Sequence, residues 1–134
     1  ASHVIPALVR KVYEEKIKNS PYIDAWGTGE ATREFIYVED AAEAIVTAAE
    51  RYNKPEPVNI GTGREISIKR LLETICRLID YRGEIRWDAS KPNGQPRRLF
   101  DVSRAEREFG FKSKTDFEEG LRKTIDWYIK NPNA

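Results

Sequence analysis

Two stretches carry the residue types that bind a planar ring beside a phosphorylated group. The first is Ala25 to Asp40 (AWGTGEATREFIYVED), where Trp26 precedes a Gly27-Thr28-Gly29 turn and Arg33 opens an aromatic, β-favouring run. The second is Lys91 to Asp101 (KPNGQPRRLFD), a loop rich in proline and glycine that delivers Arg97 and Arg98 into an apolar segment. An arginine fork matches phosphate oxygens in bidentate fashion, and an indole at a turn can stack on a nucleobase or sugar face. The same residues also fit a plainer reading, with the arginines solvated or ion-paired and Trp26 in the core. Spacing leaves both readings open.

Catalytic patterns are harder to find. An acid–base tyrosine of the short-chain dehydrogenase type needs a lysine four residues on to lower its phenol pKa. The six tyrosines are followed at that distance by Ile17, Trp26, Ala41, Glu56, Ile85 and Pro132, so the pair is missing from the chain. Gly61-Thr62-Gly63 and Gly27-Thr28-Gly29 each lack the third glycine of a dinucleotide fingerprint, having Ile66 and Thr32 in its place. Both read as turns. A single histidine, His3, and a single cysteine, Cys76, make no zinc site of the usual kind. Asp40 with Glu39 is a candidate acid–base pair, but a helix-capping role for Asp40 accounts for it more simply. The expectation is no complete catalytic set and no metal site.

Composition narrows the partners. A formal net charge of +1, with acidic and basic residues intermixed, argues against a surface that coats a polyanion, so nucleic acid is not expected. No apolar run reaches membrane-spanning length. Cys76 lies among Leu71, Leu72, Ile75 and Ile79 and reads as a buried apolar thiol. One cysteine allows no internal disulfide, which fits a reducing, cytoplasmic location.

The elements that must hold the two stretches alternate between strand and helix. Residues 3–18 read as a helix with Pro6 near its start and Ile5, Leu8, Val9, Val12 and Ile17 on the apolar side. Residues 22–26 read as a short strand and 33–38 (REFIYV) as a strong one. A capping box at Asp40 and Glu43 opens a helix to Arg51, and residues 57–60 (PVNI) read as a buried strand. The clearest helix spans 67–80, with Ile68, Leu71, Leu72, Ile75, Leu78 and Ile79 in one stripe. Residues 84–87 alternate like a strand, and two further boxes, Ser103 with Glu106 and Thr115 with Glu118, open the last helices. The whole predicts an α/β fold with a small, mostly parallel sheet and packed helices, and the 134 residues as one domain. The abrupt helical start at Ala1-Ser2-His3 reads as a cut.

Four segments make the chain recognisable: SHVIPALVRK, WGTG with REFIYVED, NIGTG, and DASKPNGQPRRLFDVSR. In that order they closely resemble the C-terminal half of the GDP-L-fucose synthases, a branch of the NAD-dependent nucleotide-sugar epimerase/dehydratases among the extended short-chain dehydrogenases/reductases. The REF-x-YV-x-D and N-x-GTG patterns are shared widely in that superfamily, while SHVIP with KP-x-G-x-PR is narrower. The resemblance implies substrate-binding roles for Lys11, Trp26 and Arg33 around the GDP portion. It implies that the loop with Lys91, Asn93 and Arg97 closes over the nucleotide sugar, and that His3 contacts the nicotinamide side of NADP. Lys11 stands where arginine is common, and Asn93 stands where the family usually has an acidic residue, a departure that bears on sugar or nucleotide preference. The family reaction is 3,5-epimerisation of GDP-4-keto-6-deoxymannose and NADPH-dependent reduction at C4. The family's catalytic residues and Gly-rich cofactor loop belong to an N-terminal dinucleotide-binding domain. The expectation is therefore a substrate-binding portion, inactive alone, that works with that domain or another subunit. The alternative is a stand-alone binding or association module, with apolar surface that promotes homo-oligomers.

Overall fold

The computed structural model of the chain describes residues 3–133. Their elements run α1 (Val4–Ile17), β1 (Tyr22–Trp26), β2 (Thr32–Arg33), α2 (Val38–Arg51), β3 (Ile66–Ser67), α3 (Ile68–Ile79), β4 (Glu84–Asp88), α4 (Ser103–Phe109) and α5 (Phe117–Lys130).

The stripe read in the sequence is the centre of the main core. Leu71, Leu72 and Ile75 of α3 are fully buried, packed with Val9 and Val12 of α1, Ile23 and Ala25 of β1, and Leu121 and Ile125 of α5. Helix α3 starts where the Ser67 hydroxyl accepts a hydrogen bond from the Arg70 amide at 3.1 Å. It stops where Asp80 turns into the left-handed region at φ 64°. A second, smaller core joins Ala44 of α2 to Ala105 and Phe109 of α4 and to Phe111.

Strands β1 and β4 pair in parallel, with Ile23 opposite Ile85 and Ala25 opposite Trp87. Strands β2 and β3 form a two-residue antiparallel pair, and Thr32 makes an isolated parallel bridge to Arg97. The fold is α/β, its longer strand pair parallel and its helices packed around it.

Several local expectations are corrected. The REFIYV run is not a strand beyond Arg33: residues 34–37 are irregular and Val38 already begins α2. PVNI is likewise irregular, with Val58 and Ile60 packed on the second core. In both runs the side chains favour extended backbone, but a strand also needs a ladder partner, and β3 offers two residues only. Ile17 is 64 % exposed rather than part of the apolar face.

The capping boxes shift too. Asp40 lies inside the first turn of α2, whose N-cap is Tyr37. Its carboxylate instead reaches across to the turn before α5. There it accepts from the Thr115 amide and hydroxyl, both at 2.9 Å, and from the Ser113 hydroxyl at 3.2 Å. Ser103 is spent on Asp101, which accepts from its amide at 2.9 Å and its hydroxyl at 2.7 Å. The last helix is capped by Asp116, which accepts from the Glu119 amide at 3.3 Å, because Thr115 is held by Asp40.

Asp40 is 2 % exposed. Burial pushes its carboxyl up, but the bonds from Thr115, Ser113 and Lys114 outweigh that and leave it below the ordinary 3.8. A depressed carboxylate stabilises the fold fully above its unfolded pKa, and that contribution fades as pH falls through the folded value. Asp40→Ala is expected to cost about 2–3 kcal/mol at pH 7, because buried donors lose a charged acceptor. In urea melts repeated from pH 7 down to pH 3, the gap from the parent should narrow below pH 4. A gap that stays constant would contradict the clasp.

Candidate functional site

Parallel pairing sends the carboxyl ends of β1 and β4 to the same edge, the usual place for ligands in α/β proteins. Trp26 ends β1 and Asp88 ends β4, and the chain after each turns outward. The two turns are tied together. The Gly27 amide donates to the Asp88 carbonyl at 2.9 Å, and the Thr28 amide donates to Asn93 Oδ1 at 2.8 Å. Gly27 has φ +83°, and a Cβ there would lie 2.1 Å from Asn93 Oδ1, so glycine is required for this approach.

The far arm of the loop is fastened to β2. The Thr32 amide donates to the Pro96 carbonyl at 2.9 Å, and the Arg98 amide donates to the Thr32 carbonyl at 3.3 Å. Arg33 Nη1 donates to the Gln95 carbonyl at 2.6 Å and the Thr32 carbonyl at 2.7 Å. Arg97 pairs through Nε with Glu65, which also accepts from the Thr32 hydroxyl at 3.1 Å. The bond from Arg97, opposed by partial burial and aided by Thr32, holds the Glu65 carboxyl below its ordinary range. Arg98 is occupied by the Gln95 side chain at 2.9 and 3.1 Å.

Five of the expected substrate residues therefore meet at one corner: Trp26, Arg33, Lys91, Asn93 and Arg97. Trp26 is 64 % exposed, which removes the reading of it as a core residue. The Lys91 ammonium stands 5.5 Å from the centre of its ring. Every residue from 89 to 101 is exposed, so the loop presents its side chains rather than packing them. The arginines are neither free nor simply solvated; Arg33 is a strut to the loop and Arg97 is half of an ion pair.

Lys11 lies off this cluster, its ammonium donating to the Asp24 carbonyl within β1. His3 is exposed at the N-cap of α1 and makes no side-chain capping bond. A separate groove of about 830 Å³ is lined by Ile5, Phe35, Tyr37, Phe117 and Trp127, among others. Glu65 lines this groove as well and so stands between it and the loop. Among the described residues there is no group of acidic, histidine and cysteine side chains able to hold a metal, and no helix long and apolar enough to cross a membrane. Burial pushes the Cys76 thiol up to about 11, which makes it a core side chain and not a nucleophile.

Sequence reading missed the partners that hold the corner. Thr28 and Gln95 lie inside quoted motifs without being singled out, Glu65 lies outside them, and only the fold brings the three to Asn93, Arg33 and Arg97. Glu34 is a fourth, its carboxylate accepting from the Gly63 amide at 2.6 Å and filling the space beside Gly61.

Residues 1–61 match the NAD dependent epimerase/dehydratase family, a span that includes Trp26 and Arg33. A probable GDP-L-fucose synthase 1 of Oryza sativa subsp. japonica is 42 % identical over 130 residues, covering 97 % of this chain and 39 % of that protein. Over those 61 residues the chain is similar to the NAD dependent epimerase/dehydratase family. The GDP-L-fucose synthase of Escherichia coli, strain K12, is 37 % identical over 139 residues, covering 97 % of this chain and 43 % of that protein. A crystal structure of a GDP-L-fucose synthetase from Naegleria fowleri bound to NADP superposes with TM-score 0.91 at 27 % identity, covering 99 % of this chain and 42 % of that one. The chain spans about two-fifths of the length of the curated relatives it matches. The Lys91–Arg98 loop lies beyond the family-wide match and within the stretch shared with the GDP-L-fucose synthases.

Gly27→Ala tests the tie between the two turns. A side chain at φ +83° is strained by about 1–2 kcal/mol, and Asn93 must swing away from it. Amide exchange at Thr28 should accelerate markedly while exchange in α3 is unchanged. Protection of Thr28 retained in the variant would show that Asn93 does not hold the turn.

Proposed function

We propose that this chain is the nucleotide-sugar-binding portion of a GDP-sugar epimerase/reductase. The observation that carries the reading is the convergence of Trp26, Arg33, Lys91, Asn93 and Arg97 on one exposed corner, in the stretch shared with GDP-L-fucose synthases. The indole offers a face on which guanine can stack, and the Lys91 ammonium and Arg97 guanidinium suit the diphosphate oxygens. Arg33 shapes the loop from beneath by binding its carbonyls. Asn93 accepts from Thr28 through Oδ1 and keeps an amide donor for a sugar hydroxyl, which a carboxylate at that position would lack. Lys11, on α1 with its ammonium against the Asp24 carbonyl of β1, is assigned a supporting part in the same site, on the strength of its place in the matched motif alone.

The reaction of the whole protein is proposed to follow the relatives: epimerisation of a 4-keto GDP-sugar, then reduction by NADP(H). When bound, NADPH would supply the hydride. The glycine turns described here make no cradle for it: Gly27 abuts Asn93, Gly29 abuts Trp87 and Gly61 abuts Glu34. His3 is the cofactor's one proposed contact in this chain. With no Tyr-x-x-x-Lys pair in the sequence, this chain binds and orients substrate while the acid–base chemistry comes from elsewhere.

A second reading, an association module, has its own support. Val38, Ile45 and Val46 on α2 and Trp127 on α5 are all more than half exposed, an apolar surface unusual for a chain that stays alone. A sedimentation coefficient that rises with protein concentration favours self-association; a constant monomer value counts against it.

Calorimetric titration with GDP-L-fucose tests the primary reading. The parent chain should bind, and Trp26→Ala should weaken binding about tenfold, the scale of one lost base–aromatic stack, with an unchanged melting temperature because the indole is exposed. No heat of binding in the parent, or equal affinity in the variant, overturns it.

A further inference from the structure

One side chain ties three parts of the corner together and belongs to none of the recognised motifs: Glu65. It immediately precedes β3 and accepts from the Thr32 hydroxyl of β2. Through the same oxygen it holds Nε of Arg97. Thr32 is in turn bridged through its backbone to both neighbours of Arg97, accepting from the Arg98 amide and donating to the Pro96 carbonyl. The backbone of Arg97 is thus fixed by Thr32 and its guanidinium by Glu65.

The manner of the pairing matters. Glu65 engages Nε, and no hydrogen bond is made by Nη1 or Nη2 of Arg97 among the described residues. The Arg97 side chain is 65 % exposed and that of Glu65 only 29 %. A guanidinium gripped from its Nε side keeps the outer pair of donors for another anion. Holding it there also removes rotamer freedom before a ligand arrives, and such freedom is otherwise lost on binding. The opposing effect is partial neutralisation of the arginine by a neighbouring carboxylate, which counts for little at an exposed, water-screened pair.

Resting on the reading of this corner as a nucleotide-sugar site, we propose that Glu65 is a positioning residue. It orients Arg97 so that the free Nη donors meet the anionic part of the ligand. Glu65 acts through Arg97 and need not touch the ligand.

The test is a double-mutant cycle in the chain, read by calorimetry with GDP-L-fucose. Glu65→Gln keeps an oxygen for Thr32 but loses the charge that grips Arg97. It should weaken binding about three- to fivefold, the coupling expected of an exposed ion pair. Arg97→Ala should weaken it about tenfold, as for one lost charge-assisted bond. In the Arg97→Ala background, Glu65→Gln should cost nothing further, because its partner is gone. If Glu65→Gln binds as the parent does, or more tightly, the assignment is overturned while the site reading survives. The assignment is also overturned if the two effects add in full, since Glu65 would then only brace the loop. If the parent itself binds no GDP-L-fucose while its fold is intact, the nucleotide-sugar reading falls and takes this inference with it.

Discussion

Helix α3 carries an apolar stripe too wide to leave in water, and burying it dictates most of the architecture. Leu71, Leu72 and Ile75 have no exposure at all, and covering them takes α1 on one flank, α5 on another and the β1–β4 pair. Each fully buried side chain of this size contributes about 1.5–3 kcal/mol of transfer free energy. The same demand explains why Tyr81, just after the helix, is buried and donates its hydroxyl to the Ser20 carbonyl at 2.8 Å. That bond fixes the lead into β1 against the lead into β4.

The site follows from this packing at one remove. With both strands pinned to α3 and running parallel, their carboxyl ends emerge side by side, and the two outward turns must meet. Gly27 permits the approach and Asn93 exploits it. On the opposite arm, Thr32, Arg33 and Glu65 bind the loop through carbonyls and one ion pair. The loop is exposed along its whole length yet fastened at both ends. A surface so arranged can offer charged and aromatic groups without burying them unpaired, which would be costly.

Much of this was legible in the sequence. The α3 stripe, the strand ending in Trp26, the 84–87 strand and the Pro/Gly loop were each signalled by periodicity or turn chemistry, which are local. The family resemblance was legible in four motifs. What failed was non-local. REFIYV and PVNI have strand-forming side chains, but pairing depends on a neighbour the local pattern cannot name. The D-x-x-E spacing at Asp40 looked like a cap, yet that carboxylate gains more from Ser113 and Thr115, some 73 to 75 residues away. Glu65 was invisible for the same reason. Trp26, Arg33, Lys91, Asn93 and Arg97 lie at one corner, whereas Lys11 and His3 lie apart from it.

The central claim is that the corner between Trp26 and the 91–98 loop holds a nucleotide sugar. The most direct measurement is a map of backbone and indole chemical shifts in the chain as GDP-L-fucose is added. The account predicts saturable shifts at the Trp26 indole, Thr28, Arg33 and residues 93–97, with α2 and α4 unmoved. Shifts confined to the groove beside Phe35 and Trp127, or none at all at saturating ligand, would contradict it.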